Sequence, residues 1–589
     1  MKKLKIANKK RFFVSLISLF LALFLLLAYL GYDLYKPYLE KISQRIAQRQ
    51  KQTVTLDSLG FKAPKDAEIF LYVNNKLQKK NSVSSEDDNK IIVQKEYGAR
   101  LFDLATGFLI DLPKKMTPDF SQSPSFVRMK SDFLDITISR EYSPYEDVDE
   151  YISYYLNRFI TNEAYRKPNN LELLADGTYV YGNNSARLIS VKITDMPENK
   201  KNIYTYATIK TSGREFFRIM FKFRAESHKE TENTVSKAIE SFKRTKPFGS
   251  AAYDFSPKPS EADFWSKETK KLYRTMNERD NILWGIFAPD VASGGINHLI
   301  PEMEKALDFR FPIVLIYNHL GSPLPEGFGA KCAEQGKMIE LTLQMTETNN
   351  ENLNATVPLL EIYKGKYDDK IRNLAREIKK EIKTPFFFRL NNEMNTDWTS
   401  YSGIITLSDP EIYVEGWRRV YEIFEEEGVD NAIWVYNPND RNFPPCNWNN
   451  FTAYYPGDEY VHMIGITGYN TGTYFIDVTG ETWRSFTEIY DEIEKSYRPF
   501  FSEFPWIITE FSSSSVGGDK VKWIEDVFKN IHKYKNIKAA VWFSAPDMDM
   551  RPGFEGKISR PYMLDETEET LDAFRRGIKK TNPPQAEIK

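Results

Sequence analysis

The sequence predicts an α/β chain whose larger part is a (β/α)8 TIM barrel, preceded by a smaller α+β domain and an N-terminal transmembrane helix. Three observations carry this. From about residue 265 onward, apolar runs of five to eight residues alternate with charged helical stretches. Runs of that kind fit strands buried on both faces of a parallel sheet, and eight of them with crossovers fit a closed barrel. Between about 53 and 248, short β-type runs are grouped around only two helical segments, the pattern of an α+β sandwich. At the start, the basic "MKKLKIANKKR" leads into about 21 uncharged residues, "FFVSLISLFLALFLLLAYLGY", enough to cross roughly 30 Å of hydrocarbon as a helix.

In chain order, residues 1–11 read as a cytoplasmic basic tail and 12–32 as an uncleaved anchor. The alternative is a cleaved signal peptide, whose apolar core is shorter, about 7–15 residues, and ends at a small-x-small site. No such site stands in "LLLAYLGYDLYKPY". With the lysines inside, everything after Tyr32 is expected outside, as in a single-pass protein of the cell membrane with extracellular domains. Residues 33–52 read as a polar helical stalk. The α+β domain, 53–248, contains the strand-like runs "IFLYVNN", "KIIVQKEYGARLFD", "FLDITISREYS", "ARLISVKIT", "IYTYATIKT" and "EFFRIMFKF". Its helical segments are "DVDEYISYYLNRFI" and "ETENTVSKAIESFKR". The order of elements resembles small PsbP-like domains without sharing a motif. No catalytic constellation stands out there, so a spacer or docking role is expected. Residues 249–264, rich in Pro and Ser and without periodicity, read as a linker.

The barrel is expected over 265–580. Its strands are assigned to "NILWGIFA", "FPIVLIY", "TVPLLEIY", "TPFFFRLN", "NAIWVYNP", "VHMIGITGY", "PWIITEF" and "IKAAVWFSA". A doubly wound open sheet is the competing fold, but no GxGxxG or Walker loop follows a strand.

Composition narrows the chemistry. At 589 residues the chain exceeds one ordinary domain, and 41% hydrophobic residues supply ample core. A net charge of −2 with 28% charged residues leaves no basic field, so no nucleic-acid partner is expected. Cys332 and Cys446 form no CxxC, which excludes a Cys-based zinc site and leaves a single disulfide open. His228, His298, His319, His462 and His532 never fall at HxH or HxxxH spacing. Metal catalysis therefore has no support, and no cofactor is expected.

In a (β/α)8 barrel the chemistry sits where strands end at the carboxyl face. The fourth run ends in "FFFRLNNEMNTDW", presenting Glu393, and the seventh ends in Glu510. The sixth ends in Tyr469, and the run assigned as the third carries Glu361. An acid emerging from an apolar strand is costly unless paired or used. Two carboxylates converging on one pocket are what glycoside hydrolysis requires. Arg389 precedes Glu393 by four residues and shares its strand parity, so it should point into the barrel. It serves there either as a structural ion pair or as a partner of the site.

Several motifs in order resemble glycoside hydrolase family 26. "RLNNEMNTDW" looks like its acid/base motif and "PWIITEFS" its nucleophile motif. "AIWVYNPN", "YYPGDEYVHMIGITGYN" and "LLEIYKGKYDDKIRNLAREIKK" look like its fifth-strand, sixth-strand and third-strand regions. The resemblance covers about 265–575. It implies a retaining enzyme with Glu393 as acid/base and Glu510 as nucleophile, the two carboxyls about 5–5.5 Å apart. Glu393 must start protonated, raised by burial and by the Glu510 charge. Glu510 must be ionised, helped by Arg389 and by a hydrogen bond from Tyr469. Trp398 stands in the place of a subsite aromatic, and Trp542 is a candidate floor for a sugar ring; core packing is the alternative for each. His319 either lines the cleft or packs in a loop. Glu361 and Glu503 are competing carboxylates, and the match at Glu361 falls on a non-catalytic stretch. Family mannanases read "HEM" where this chain has "NEM", with Asn392 before the acid/base. In the wider clan such an Asn binds the sugar 2-hydroxyl, which is axial in mannose and equatorial in glucose and xylose. The expectation is that plain β-1,4-mannan is not the best substrate. The implied reading is a membrane-anchored retaining endo-β-glycanase whose partner is a polysaccharide: β-mannan, β-glucan, xylan or an exopolysaccharide. A non-catalytic polysaccharide-binding or assembly protein on the same barrel is the alternative.

Overall fold

The computed structural model describes residues 53–60, 68–73, 76–95, 98–156, 159–346 and 355–581. The basic tail, the segment 12–32 and the stalk, 33–52, lie outside them. The expectation of a single-pass membrane protein is corrected here: among the described residues no helix is long and apolar enough to cross a membrane.

The chain divides into two compact units. The first comprises residues up to 114 together with 242–252. It contains a six-stranded antiparallel sheet in the order Lys243–Arg244, Phe108–Leu112, Gly98–Asp103, Lys90–Lys95, Glu68–Val73, Lys76–Gln78. Leu71, Val73, Ile91, Val93 and Leu104 form its core.

The second unit joins 115–241 to everything from 253 onward. The strands expected in one accessory domain over 53–248 are thus shared between two sheets in two units. In the second unit they form a seven-stranded antiparallel sheet. Its order is Leu171–Tyr181, Asn184–Ile193, Ile203–Ser212, Glu215–Phe223, Leu134–Tyr142, Val127–Lys130, Thr117–Asp119. The strand "EFFRIMFKF" is buried along its whole length, so both of its faces are covered. The helix His228–Ser241 packs on one face. Tyr204, Tyr206, Phe216 and Met220, on the other, share a single core with the barrel. Strand alternation places Arg218 and Lys222 on that same barrel-facing side.

The barrel is closed by eight parallel strands: Leu283–Phe287, Ile313–His319, Met338–Gln344, Phe386–Leu390, Ala432–Tyr436, Met463–Thr467, Trp506–Phe511 and Ile537–Phe543. Leu283, Ile313, Leu315, Phe387, Ile433, Val435, Met463, Ile507, Ala539 and Val541 fill its interior. Seven strands are those expected. The third is not: "TVPLLEIY" supplies the helix Pro358–Tyr363, with Pro358 in its first turn, where a preset φ and a missing N–H cost nothing. The true third strand, "MIELTLQ", alternates. Ile339, Leu341 and Leu343 pack outward against the helices, which leaves Glu340, Thr342 and Gln344 on the inward face. A search for unbroken apolar runs passes over such a strand. Cys332 and Cys446 are buried and free, so they do not form the disulfide left open above.

Candidate active site

Glu393 lies just past the fourth barrel strand, in a left-handed conformation with φ 59°. Few residues other than glycine adopt that geometry without support. The support is local: its N–H donates to the Asn437 carbonyl at 2.8 Å, and Thr396 Oγ1 donates to its carbonyl at 2.6 Å. One carboxylate oxygen accepts from Asn439 Nδ2 at 2.7 Å and the other from Trp398 Nε1 at 3.3 Å. Burial, reinforced by the Glu510 charge, pushes the Glu393 carboxyl up to about 7.

Glu510 stands at the end of the seventh strand. Strict alternation from the inward Ile507 would turn Thr509 inward and Glu510 outward. The register slips between Ile508 and Phe511 against the eighth strand, and between Ile466 and Thr467 against the sixth. An irregularity of this kind re-aims a side chain. Thr509 Oγ1 donates inward to Asn437 Oδ1 at 3.0 Å. The Glu510 carboxylate meets Arg389 Nη1 at 2.5 Å and accepts from the Tyr469 hydroxyl at 2.7 Å.

Arg389 is fully buried and shared. Its Nε donates to Thr342 Oγ1 at 2.6 Å and its Nη1 to Asn437 Oδ1 at 2.9 Å. Glu340 lies 3.5 Å from it, and its guanidinium carbon lies 5.5 Å from the Tyr317 ring centre. Burial opposes its charge, but Glu510, Tyr317 and Glu340 outweigh burial and raise its pKa. Both sequence readings of Arg389 therefore meet in one side chain: it is an ion pair inside the barrel, and its partner is Glu510. Burial and the Glu510 charge also raise the Tyr469 hydroxyl well above the ordinary range, so Tyr469 stays a donor.

Asn392 is buried, and its Oδ1 accepts from Gln344 Nε2 at 3.2 Å and from the Tyr401 hydroxyl at 3.1 Å. With the amide oxygen taken twice, the donor Nδ2 is what Asn392 has left to offer. Trp398 is 44% exposed, and its ring lies 5.3 Å from that of Phe443, itself partly exposed. The two form an aromatic surface beside Glu393.

Trp542 requires a correction. It is 0% exposed, its Nε1 donates to the Tyr562 carbonyl at 3.1 Å, and its ring packs among Phe511, Trp523 and Phe574. Val541 points into the barrel, so its neighbour points outward into the helical layer and offers no face to a sugar. Phe543 has the inward parity and lies 6.0 Å from the Tyr469 ring. His319 Nδ1 pairs with Thr346 Oγ1 at 2.6 Å. Glu361 sits on the helix after the third strand, paired with Lys364 at 2.6 Å. Glu503 is exposed in the turn before the seventh strand, at the opposite end of the barrel from Glu510.

Sequence reasoning missed Glu340, Gln344, Tyr401, Asn437 and Asn439. The last two were within reach, because "VYNPND" closes the fifth strand at the carboxyl face. Glu340 and Gln344 were lost with the third strand.

The family model for glycosyl hydrolase family 26 matches residues 334–497, which include Glu393 and stop short of Glu510. An endoglucanase H of Acetivibrio thermocellus is 32% identical over 228 residues, covering 37% of this chain and 23% of that protein. A mannan endo-1,4-beta-mannosidase of Bacillus subtilis is 32% identical over 123 residues, 19% of this chain and 28% of that protein. The chain thus spans about a quarter of the length of these curated relatives. A solved β-mannanase structure from Bacteroides ovatus aligns at 17% identity with a TM-score of 0.40, covering 54% of this chain and 94% of that one. The stretch that matches the glycosyl hydrolase family 26 model, residues 334–497, runs from the approach to the third barrel strand into the helix after the sixth.

Proposed function

We propose that this chain is a retaining glycoside hydrolase acting on a β-linked polysaccharide, with Glu393 as general acid/base and Glu510 as nucleophile. One contrast carries the reading. Two acids that feel each other's charge sit in opposite settings: burial and Glu510 hold a proton on Glu393 up to about pH 7, while Arg389 and Tyr469 supply a cation and a donor to Glu510. Such a divergence separates an acid from a nucleophile. In the first step the Glu510 carboxylate attacks the anomeric carbon while Glu393 gives its proton to the departing glycosidic oxygen. A glycosyl ester forms on Glu510 and the glycosidic bond breaks. Esterification removes the Glu510 charge and with it one of the causes that raise Glu393. Glu393, now a carboxylate, takes a proton from water. The water oxygen attacks the anomeric carbon, Glu510 leaves, and both acids return to their starting states.

The relatives are named for an endoglucanase and for mannan endo-1,4-beta-mannosidases. Between these, Asn392 favours a unit with an equatorial 2-hydroxyl. Its oxygen is occupied by Gln344 and Tyr401, so a fixed amide donor replaces the imidazole of the mannanase motif. A site built around one hydroxyl position leaves a polar group unpaired with the other.

The test is reducing-end release from mannan, mixed-linkage glucan and xylan. Glu510→Ala is expected to lose turnover by at least about 10⁴-fold while still retaining polysaccharide. Glu393→Ala is expected to lower kcat/KM by about 10²–10⁴-fold on poor leaving groups and far less on activated aryl glycosides, which need no proton. Binding without release by the wild type would make the chain a polysaccharide-binding protein. A wild-type preference for mannan would refute the assignment of Asn392.

A further inference from the structure

The loop that carries Asn392, Glu393, Trp398 and Tyr401 spans 391–409. It begins with two left-handed residues, Asn391 (φ 48°) and Glu393, and closes on two more, Leu407 (φ 57°) and Ser408 (φ 49°). None is glycine, and such residues persist only where their surroundings hold them. The first pair is held by the barrel: Asn391 Oδ1 accepts from the Met345 N–H at 2.7 Å, and Glu393 is bound to Asn437 as described. The second pair is held by the antiparallel sheet and by the connection between its strands Leu134–Tyr142 and Leu171–Tyr181, which carries the helices Val148–Tyr155 and Glu163–Arg166. Tyr165 and Tyr206 donate their hydroxyls to the carbonyls of Ile405 and Leu407. Arg218 Nη2 donates to the Ser408 carbonyl at 2.7 Å, and Ser408 Oγ donates to the Leu156 carbonyl at 2.8 Å. Lys222 Nζ meets Asp409 at 2.9 Å, with the side chains only 3% and 1% exposed.

A second line runs from the same sheet to the carboxylate itself. Glu141, on the strand Leu134–Tyr142, accepts from the N–H groups of Asn447 at 2.7 Å and Trp448 at 3.1 Å. Asn449 Nδ2 then donates to the Asn395 carbonyl at 3.0 Å, and Asn395 Nδ2 to the Asn439 carbonyl at 3.2 Å. Asn439 Nδ2 donates to Glu393 Oε1 at 2.7 Å. Arg218 ties the two lines together, its guanidinium carbon 5.2 Å from the Trp448 ring centre.

Two buried cations on one strand are expensive unless something is gained from them. A plain packing surface would have kept apolar residues there. We infer that the antiparallel sheet of residues 117–223 is a working part of the active site: it braces the 391–409 loop, and Glu141, Arg218 and Lys222 are positioning residues for Glu393. This rests on the acid/base reading of Glu393. It replaces the spacer role expected from the sequence, because the sheet's inward face is built around the loop it holds.

The experiment uses the full chain with Arg218→Met, and with the paired exchange Lys222→Met/Asp409→Leu. The paired exchange removes both members of the deepest pair, while Glu411, which also meets Lys222 at 3.0 Å, keeps Lys130 at 3.4 Å and Arg128 at 3.7 Å; it guards against a fold lost with Arg218. Two readouts are taken: the ratio of kcat/KM on poor against activated leaving groups, and hydrogen exchange of 391–409 against that of the barrel strands. The ratio is expected to fall by about 10- to 100-fold, the effect of a small misplacement of an acid. Exchange of the loop is expected to rise while the barrel strands keep their protection. A merely structural sheet would lower both substrates equally, or raise exchange throughout, and either result overturns the proposal. An unchanged ratio with unchanged loop exchange does so as well. Should the wild type release no reducing ends, the proposed function fails by itself, and the exchange of 391–409 still decides whether the sheet holds the loop.

Discussion

Glu340 shows how far the inside of a barrel moves the titration of a single carboxyl. It is fully buried on the third strand, 3.5 Å from Arg389. Burial first, and the Glu510 charge after it, raise its carboxyl to about 8, against the pull of Arg389. With Glu340 neutral, the positive charge of Arg389 is left to Glu510. The sign of the stability effect follows. Between about 4.5 and about 8 the folded chain holds a proton that the unfolded chain has released, so stability falls as pH rises through that window. Glu340→Gln carries no charge at any pH and should flatten the fall. Denaturant unfolding at about pH 5 and about pH 8 measures it. The variant's advantage over wild type should be larger at the higher pH, and an equal gap at both would refute a protonated Glu340. Glu393 acts in the same sense through about pH 7. In the role of general acid proposed above it would also set a kinetic limb, with kcat/KM falling above that value.

At the scale of elements, the site depends on one irregularity and one alternation. The slipped register of the seventh strand lets both Thr509 and Glu510 face the interior. Regular alternation in the eighth strand does the opposite for Trp542, turning its ring into the layer between strands and helices. Trp542→Ala should therefore cost about 3–5 kcal/mol of stability, as for other buried aromatics, and leave KM unchanged in what still folds. A thermal melt paired with a KM measurement checks this; a raised KM with little loss of stability would restore Trp542 to the cleft.

At the scale of the molecule, the antiparallel sheet and the barrel form one compact unit with one continuous core. A chain restricted to 253–581 would leave Asp409 without Lys222 and uncover the faces that met Tyr204, Tyr206, Phe216 and Met220. Leaving one partner of a buried pair costs about 3–5 kcal/mol by itself. The shortened chain should melt well below the second unit of the full chain, or fail to accumulate in soluble form. An equal melting temperature would show that the barrel stands alone.

Local pattern by itself determined the seven unbroken barrel strands, the acids at the ends of the fourth and seventh, and the parity of Arg389. A strand buried on both faces must be apolar throughout, and a polar residue ending it stands out. It also determined most strands of the antiparallel sheet, which read as β runs wherever aromatic and branched residues cluster. Tertiary structure alone decided the rest. The third strand is polar inside because Arg389 needs Glu340 and Thr342 around it, so its pattern imitates a half-exposed strand. Trp542 and Glu510 each stand beside a residue of opposite parity, and only the slipped register says which rule applies. The meaning of Arg218 and Lys222 in "EFFRIMFKF" was invisible along the chain. Their partners, Ser408 and Asp409, lie nearly two hundred residues away, and a buried cation is explained only by what the fold brings against it.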